Sequence, residues 1–137
     1  MELFDIDGRH AVLNLAKNPA GFNQNISAAL QDDTPKDLLV VINDNAQDGR
    51  DISWLWDVDF ERLRTAKIQS FTASGIRAAD MQLRLKYAGI SSVCEPEPAE
   101  AIERLITKGT GNLYVLCNYT ALYSAHGILK KLEAGNL

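Results

Sequence analysis

Two stretches of the chain, Leu38-Leu39-Val40-Val41-Ile42 and Leu113-Tyr114-Val115-Leu116-Cys117, are apolar at every position. A strand with one wet face alternates in polarity. A short run that does not alternate needs apolar cover above and below, as in the central strands of a parallel sheet between two helical layers. Neither run approaches the roughly 20 residues needed to span a bilayer, so no membrane insertion is expected. With 137 residues the chain can bury one substantial core but not two ordinary ones, and residues 1–137 read as a single domain.

The segments around these runs complete the pattern. Glu2–Ile6 and Arg9–Ala16 flank Asp7-Gly8, a pair suited to a two-residue hairpin turn in which both positions take positive φ. Phe22, Ile26, Ala29 and Leu30 share one helical stripe that ends in the breaker Asp32–Pro35. A helix is expected from about Ser53 to Arg64, then a strand over Ile68–Thr72 with Ser74-Gly75 as its exit turn. Ala78, Met81, Leu85 and Ala88 mark the next helix, stopped by Gly89, and Ser91–Cys94 a short strand. Pro98 suits the first turn of a helix carrying Ala101, Ile102, Leu105 and Ile106. After Leu113–Cys117, Thr120 is placed to cap a last helix whose stripe is Leu122, Ala125, Leu129 and Leu132 and whose end is Gly135. Strands alternating with helices imply right-handed crossovers. The expected fold is a Rossmann-like three-layer α/β domain, mostly parallel, entered by a β-hairpin.

Several function classes fall away. A formal net charge of −4 argues against nucleic-acid binding, which requires a basic face. Met1-Glu2-Leu3-Phe4-Asp5 has neither the basic nor the apolar part of a secretory signal. Cys94 and Cys117 lie in strand-like runs and read as buried, reduced thiols, and no metal-ligand spacing is present. The chain has no phosphate-binding Gly-x-x-x-x-Gly-Lys, no dinucleotide fingerprint and no Gly-x-Ser-x-Gly nucleophile turn. His10 and His126 have no evident acid–base partner in sequence.

Ligands of open α/β sheets bind beyond the carboxyl ends of the strands, and there the chain is rich in hydrogen-bonding residues. Lys17 and Asn18 follow the second strand, Asn43-Asp44-Asn45 the third, Ser74 the fourth and Asn118-Tyr119-Thr120 the last. Asn, Asp and Gly are also ordinary turn formers, so turn-making competes with ligand contact for most of these positions. A lysine directly after a central strand is a less usual turn residue and a frequent anion contact, which singles out Lys17. The segment Asp48–Phe60 contains both tryptophans and four acidic residues. Trp54 and Trp56 are two apart, so on a helix one could pack on the core and the other on a partner. Asp51, two residues before a helix start, has capping as its plainer role.

Three motifs carry a resemblance. Leu15-Ala16-Lys17-Asn18-Pro19-Ala20-Gly21-Phe22-Asn23, the long Asn43–Asp57 stretch with Asp48-Gly49-Arg50-Asp51-Ile52-Ser53-Trp54-Leu55-Trp56, and Asn118-Tyr119-Thr120-Ala121-Leu122 resemble the C-terminal domain of the MurT family. These are the Mur-ligase-like subunits of lipid II isoglutaminyl synthases. Arg77 and the stretch Met81–Tyr87 agree, and the resemblance runs along essentially the whole chain.

The resemblance implies a fold similar to the Mur ligase C-terminal domain and a role in an ATP-dependent, glutamine-hydrolysing carbon–nitrogen ligase. In that family the partner GatD, a glutamine amidotransferase with a cysteine and a histidine, releases ammonia. The ligase subunit uses ATP with Mg2+ to activate D-glutamate of the lipid II stem peptide, and the product is D-isoglutamine. Its location is cytoplasmic, at the inner face of the membrane. The nucleotide belongs mainly to a central domain that this chain lacks, so the isolated domain is expected to be inactive and to hold no cofactor tightly. The resemblance also implies that Asp51 completes the Cys–His pair of GatD across the subunit interface, with Asp57 the next candidate. A carboxylate there fixes the histidine tautomer and stabilises imidazolium, and it can come from another chain. Lys17, Asn18 and Asn43 become candidate contacts to nucleotide or stem peptide, and Trp54 and Trp56 to the partner. Two other readings stand beside this one: a free-standing nucleotide- or metabolite-binding α/β module without catalysis, and a small enzyme using Cys94 or Cys117.

Overall fold

The computed structural model describes residues 1–65 and 67–135. Six strands form one sheet: β1 (Glu2–Ile6), β2 (Arg9–Leu15), β3 (Lys36–Val41), β4 (Ile68–Ser74), β5 (Val93–Cys94) and β6 (Asn112–Cys117). Their order is β1-β2-β6-β3-β4-β5. β1 pairs antiparallel with β2 and every other pair is parallel. The hairpin turns where expected, with positive φ at both Asp7 and Gly8. Four α-helices, α1 (Pro19–Gln31), α2 (Ala78–Tyr87), α3 (Pro98–Lys108) and α4 (Tyr119–Glu133), cover the sheet. The chain is therefore a three-layer α/β domain with a mostly parallel sheet.

The chain crosses the sheet in one direction from β2 through β3 and β4 to β5, then returns to β6 at the centre. Connections of one hand must change face when the direction reverses. Accordingly, α1, residues 52–63 and α2 pack on one face, with Phe22, Ile26, Leu55, Phe60 and Met81 against Leu38, Val40 and Leu116. Helices α3 and α4 pack on the other, with Ile102, Leu105 and Leu129 against Leu39, Val41 and Val115. Alternate residues of β3 and β6 thus feed two different cores, the physical reason for their unbroken apolar runs.

Three expectations need correction. The helix expected over Ser53–Arg64 is two 3-10 turns, Ser53–Asp57 and Phe60–Thr65. An α-helix would bond the Asp59 amide to the Leu55 carbonyl. Instead that amide donates to Asn23 Oδ1 at 2.9 Å, and the Leu55 carbonyl accepts from Arg84 Nε at 2.9 Å. Thr120 does not cap α4: the N-cap residue is Asn118, and the Thr120 amide is itself capped by Asp48 from a distant loop. Strand boundaries also shift, since β3 begins at Lys36 and β5 is only Val93–Cys94.

The early start of β3 buries two charged side chains. Asp37 accepts from Arg9 Nη2 at 3.1 Å and from Ser70 Oγ at 2.6 Å, and the other Arg9 nitrogens donate to the carbonyls of Leu105 and Gly111. Lys36 Nζ donates to the Asp32 carbonyl at 2.6 Å. Such groups are tolerated inside because each is hydrogen-bonded. All of them lie at the amino end of the parallel strands, opposite the edge where the site is sought.

Candidate functional site

At the carboxyl ends of β3 and β6, Asn43, Asn45, Asn118 and Thr120, all singled out from sequence, converge. Asn43, just past β3, exchanges two bonds with Asn118, just past β6. Its amide donates to Asn118 Oδ1 at 3.0 Å, and Asn118 Nδ2 donates to the Asn43 carbonyl at 2.7 Å. The Asn43 side chain accepts from the Ile76 amide at 3.0 Å and donates to Thr120 Oγ1 at 3.3 Å. Asn45 Nδ2 donates to the same hydroxyl at 3.0 Å. Gly75, with φ of +93°, runs so close that a methyl group there would lie 2.5 Å from the Ile42 carbonyl oxygen. A glycine is required by both the φ value and the contact.

Two anchors were not visible in the sequence. Asp48 accepts from the Thr120 amide at 2.7 Å, from the Thr120 hydroxyl, and from the Asn45 amide at 3.1 Å, folding the 43–51 loop onto the start of α4. A carboxylate at a helix N-terminus satisfies an orphan amide and complements the helix dipole. Arg77 joins the same edge, donating to Asp44 at 3.0 Å and to Asp80 at 2.7 Å. These two carboxylates hold its guanidinium firmly in the charged form. Only the pairing partners, 33 and 72 positions away for Asp44 and Asp48, would have identified these roles.

Asp51 lies two residues past Gly49, which takes φ of +81°. Its carboxylate is exposed and accepts from the Ser53 amide at 2.9 Å. The Ser53 backbone and side-chain hydrogen bonds lower its pKa, keeping it an anion. No cation lies within ion-pair distance of it among the described residues. It borders a cavity of about 290 Å3 lined also by Arg50, Trp56, Arg77, Asp80 and Leu83. Asp57 is exposed at the end of the first 3-10 turn.

The two tryptophans point in different directions. Trp54 packs inward on Phe22, with ring centroids 5.7 Å apart. Trp56 is 48% exposed and lies against Tyr87 at 5.3 Å. Of the candidate ligand contacts, Asn18 caps α1 by accepting from the Gly21 amide at 2.8 Å, Asn43 is bonded as described, and Lys17 is exposed at the rim. Asn43, Asn45, Asp48, Asn118 and Thr120 thus hydrogen-bond to one another along this edge.

Burial pushes the Cys117 thiol far up, and Cys94 is half-buried. Both histidines engage carboxylates of β1, His10 with Asp5 and His126 with Glu2 at 3.1 Å. Among the described residues no helix is long and apolar enough to cross a membrane.

Residues 15–122 match the family model described as MurT ligase C-terminal. The chain belongs to this family. The matched stretch runs from the end of β2 to the first turn of α4. The chain is 40% identical over 129 residues to the lipid II isoglutaminyl synthase (glutamine-hydrolyzing) subunit MurT of Staphylococcus aureus, covering 89% of the chain and 28% of the relative. It is 32% identical over 131 residues to the subunit of the same name from Streptococcus pneumoniae, covering 93% and 29%. The chain thus spans less than a third of these MurT proteins. In fold it is similar to folylpolyglutamate synthase from Thermotoga maritima, with a TM-score of 0.59 at 19% identity over 98% of the chain and 30% of that structure.

Proposed function

We propose that this domain works as the C-terminal part of the ligase subunit of a lipid II isoglutaminyl synthase. In this reading it docks a GatD-type glutamine amidotransferase and lends it the Asp51 carboxylate. The ligase amidates D-glutamate of the stem peptide with the ammonia so released, at the inner face of the membrane. ATP and Mg2+ are held mainly outside this chain. Lys17, Asn18 and Asn43 lie on the rim that would close toward nucleotide or stem peptide. Trp56, with its exposed ring beside the Asp51 cavity, faces the partner.

The observation that carries the reading is the state of Asp51: ionised, exposed, oriented by Ser53 and, among the described residues, without a cation within ion-pair distance. Orienting an imidazole requires a carboxylate whose remaining lone pairs can take the ring N–H. Cys117 is buried and its pKa is raised, which argues against Cys117 as a nucleophile.

The test uses the full-length ligase subunit with its amidotransferase. Asp51→Asn should lower glutamine hydrolysis by about 100-fold or more while the complex still assembles. Turnover close to wild type in an intact complex would take Asp51 out of the mechanism. Asp57→Asn, run in parallel, shows whether the second carboxylate holds the role instead.

A further inference from the structure

We infer that Arg84 is a positioning residue for the Asp51 carboxylate, an inference that rests on the partner-directed role proposed for Asp51. Asp51 lies on an exposed loop, and a carboxylate that must meet a ring on another chain has to be held to a fraction of an ångström. The loop's own hydrogen bonds supply only part of that hold. On its amino side Asp48 ties it to Thr120. On its carboxyl side the first 3-10 turn is hydrogen-bonded to α2 by the Arg84 side chain.

The links can be followed atom by atom. The Ser53 amide donates to Asp51 Oδ1 at 2.9 Å. Ser53 opens the turn in which the Leu55 amide donates to the Ile52 carbonyl at 3.0 Å. The Leu55 carbonyl in turn accepts from Arg84 Nε at 2.9 Å, and the Val58 carbonyl from Arg84 Nη2 at 2.6 Å. Glu61 accepts from Arg84 Nη2 at 3.0 Å and from Nη1 at 3.3 Å. The guanidinium is also packed against aromatic rings, with its central carbon 5.2 Å from the ring centroids of both Trp56 and Phe60. The Arg84 side chain is 4% exposed. Its planar fork therefore fixes two backbone carbonyls, a carboxylate and two rings at once, and a lysine can reproduce the charge but not the fork.

Arg84 touches none of the reacting groups, so its effect on kcat should pass through Asp51. In the full-length subunit paired with its amidotransferase, Arg84→Lys should lower kcat for glutamine hydrolysis by about tenfold or more. KM for glutamine should change by less than about twofold, and kcat is read at saturating partner so that any change in subunit affinity through Trp56, which packs on the guanidinium, does not enter. In an Asp51→Asn background, adding Arg84→Lys should change kcat by less than about twofold, since residues acting as one unit are not additive. Glu61→Gln, which keeps the arginine and removes its counter-charge, should give the same pattern at about threefold and serves where the lysine variant does not fold.

The outcomes separate the two claims. Normal turnover in Asp51→Asn overturns the triad role and this inference with it. Impaired Asp51→Asn alongside wild-type kcat in both clamp variants overturns the positioning role alone. The same holds where Arg84→Lys multiplies the Asp51→Asn defect, or where it weakens subunit affinity but leaves kcat intact at saturating partner.

Discussion

Thr120, the second residue of α4, gives both its backbone amide and its hydroxyl to the carboxylate of Asp48, the amide at 2.7 Å. One side chain thereby caps a helix and closes the loop that presents Asp51. Asp48→Ala should cost on the order of 1–2 kcal/mol, the usual range for a lost N-cap, read as a lower midpoint in urea unfolding. Asp48→Asn keeps an acceptor and should recover part of the loss. An unchanged midpoint in Asp48→Ala would mean that the Thr120 amide finds another acceptor at no cost.

The buried pair Arg9–Asp37 gives a larger effect. Arg9→Met strands the Asp37 carboxylate, leaving Ser70 as its remaining donor. The expected loss is about 3–5 kcal/mol, as for other buried charges deprived of a partner. The double variant Arg9→Met/Asp37→Leu should regain most of it, because the cost lies in the uncompensated charge. Urea unfolding of the two single variants and the double variant measures the coupling directly.

Asp32 makes stability depend on acid. Burial alone would raise its pKa, but hydrogen bonds from Asn112, Tyr114 and Thr34 outweigh it and bring the value from the ordinary 3.8 to about 2. A carboxylate with a depressed folded-state pKa stabilises the fold above its unfolded value. That contribution is lost as pH falls through the folded one. Asp32→Asn should therefore be less stable than wild type at pH 7 by on the order of 1 kcal/mol, allowing for solvent screening. The gap should close between about pH 4 and pH 2, which unfolding midpoints across that range would reveal. A gap independent of pH would point to lost hydrogen-bond geometry rather than lost charge.

The strands and α-helices were legible because their signal is local. Leu38–Ile42 and Leu113–Cys117 announce double-sided burial, Asp7-Gly8 a hairpin, and Pro98 a helix start. The stretch Ser53–Arg64 reads as one helix in sequence but is not, because Arg84 and Asn23, distant in sequence, take backbone groups that an α-helix would use. Lys36 and Asp37 look like a polar flank until their partners Asp32, Arg9 and Ser70 are in place. For the site, the edge was legible from topology, since polar residues after strand ends must meet there. Its wiring was not, because Asp48–Thr120 and Arg77–Asp44 join residues that carry no mutual mark in sequence.

The two-residue length of β5 has a consequence for a domain that occurs within longer relatives. A wide border strand would offer a row of free amides and carbonyls on which a neighbouring chain could zip. Val93 and Cys94 offer almost none, so this flank gives little foothold for self-association, whatever surrounds the domain.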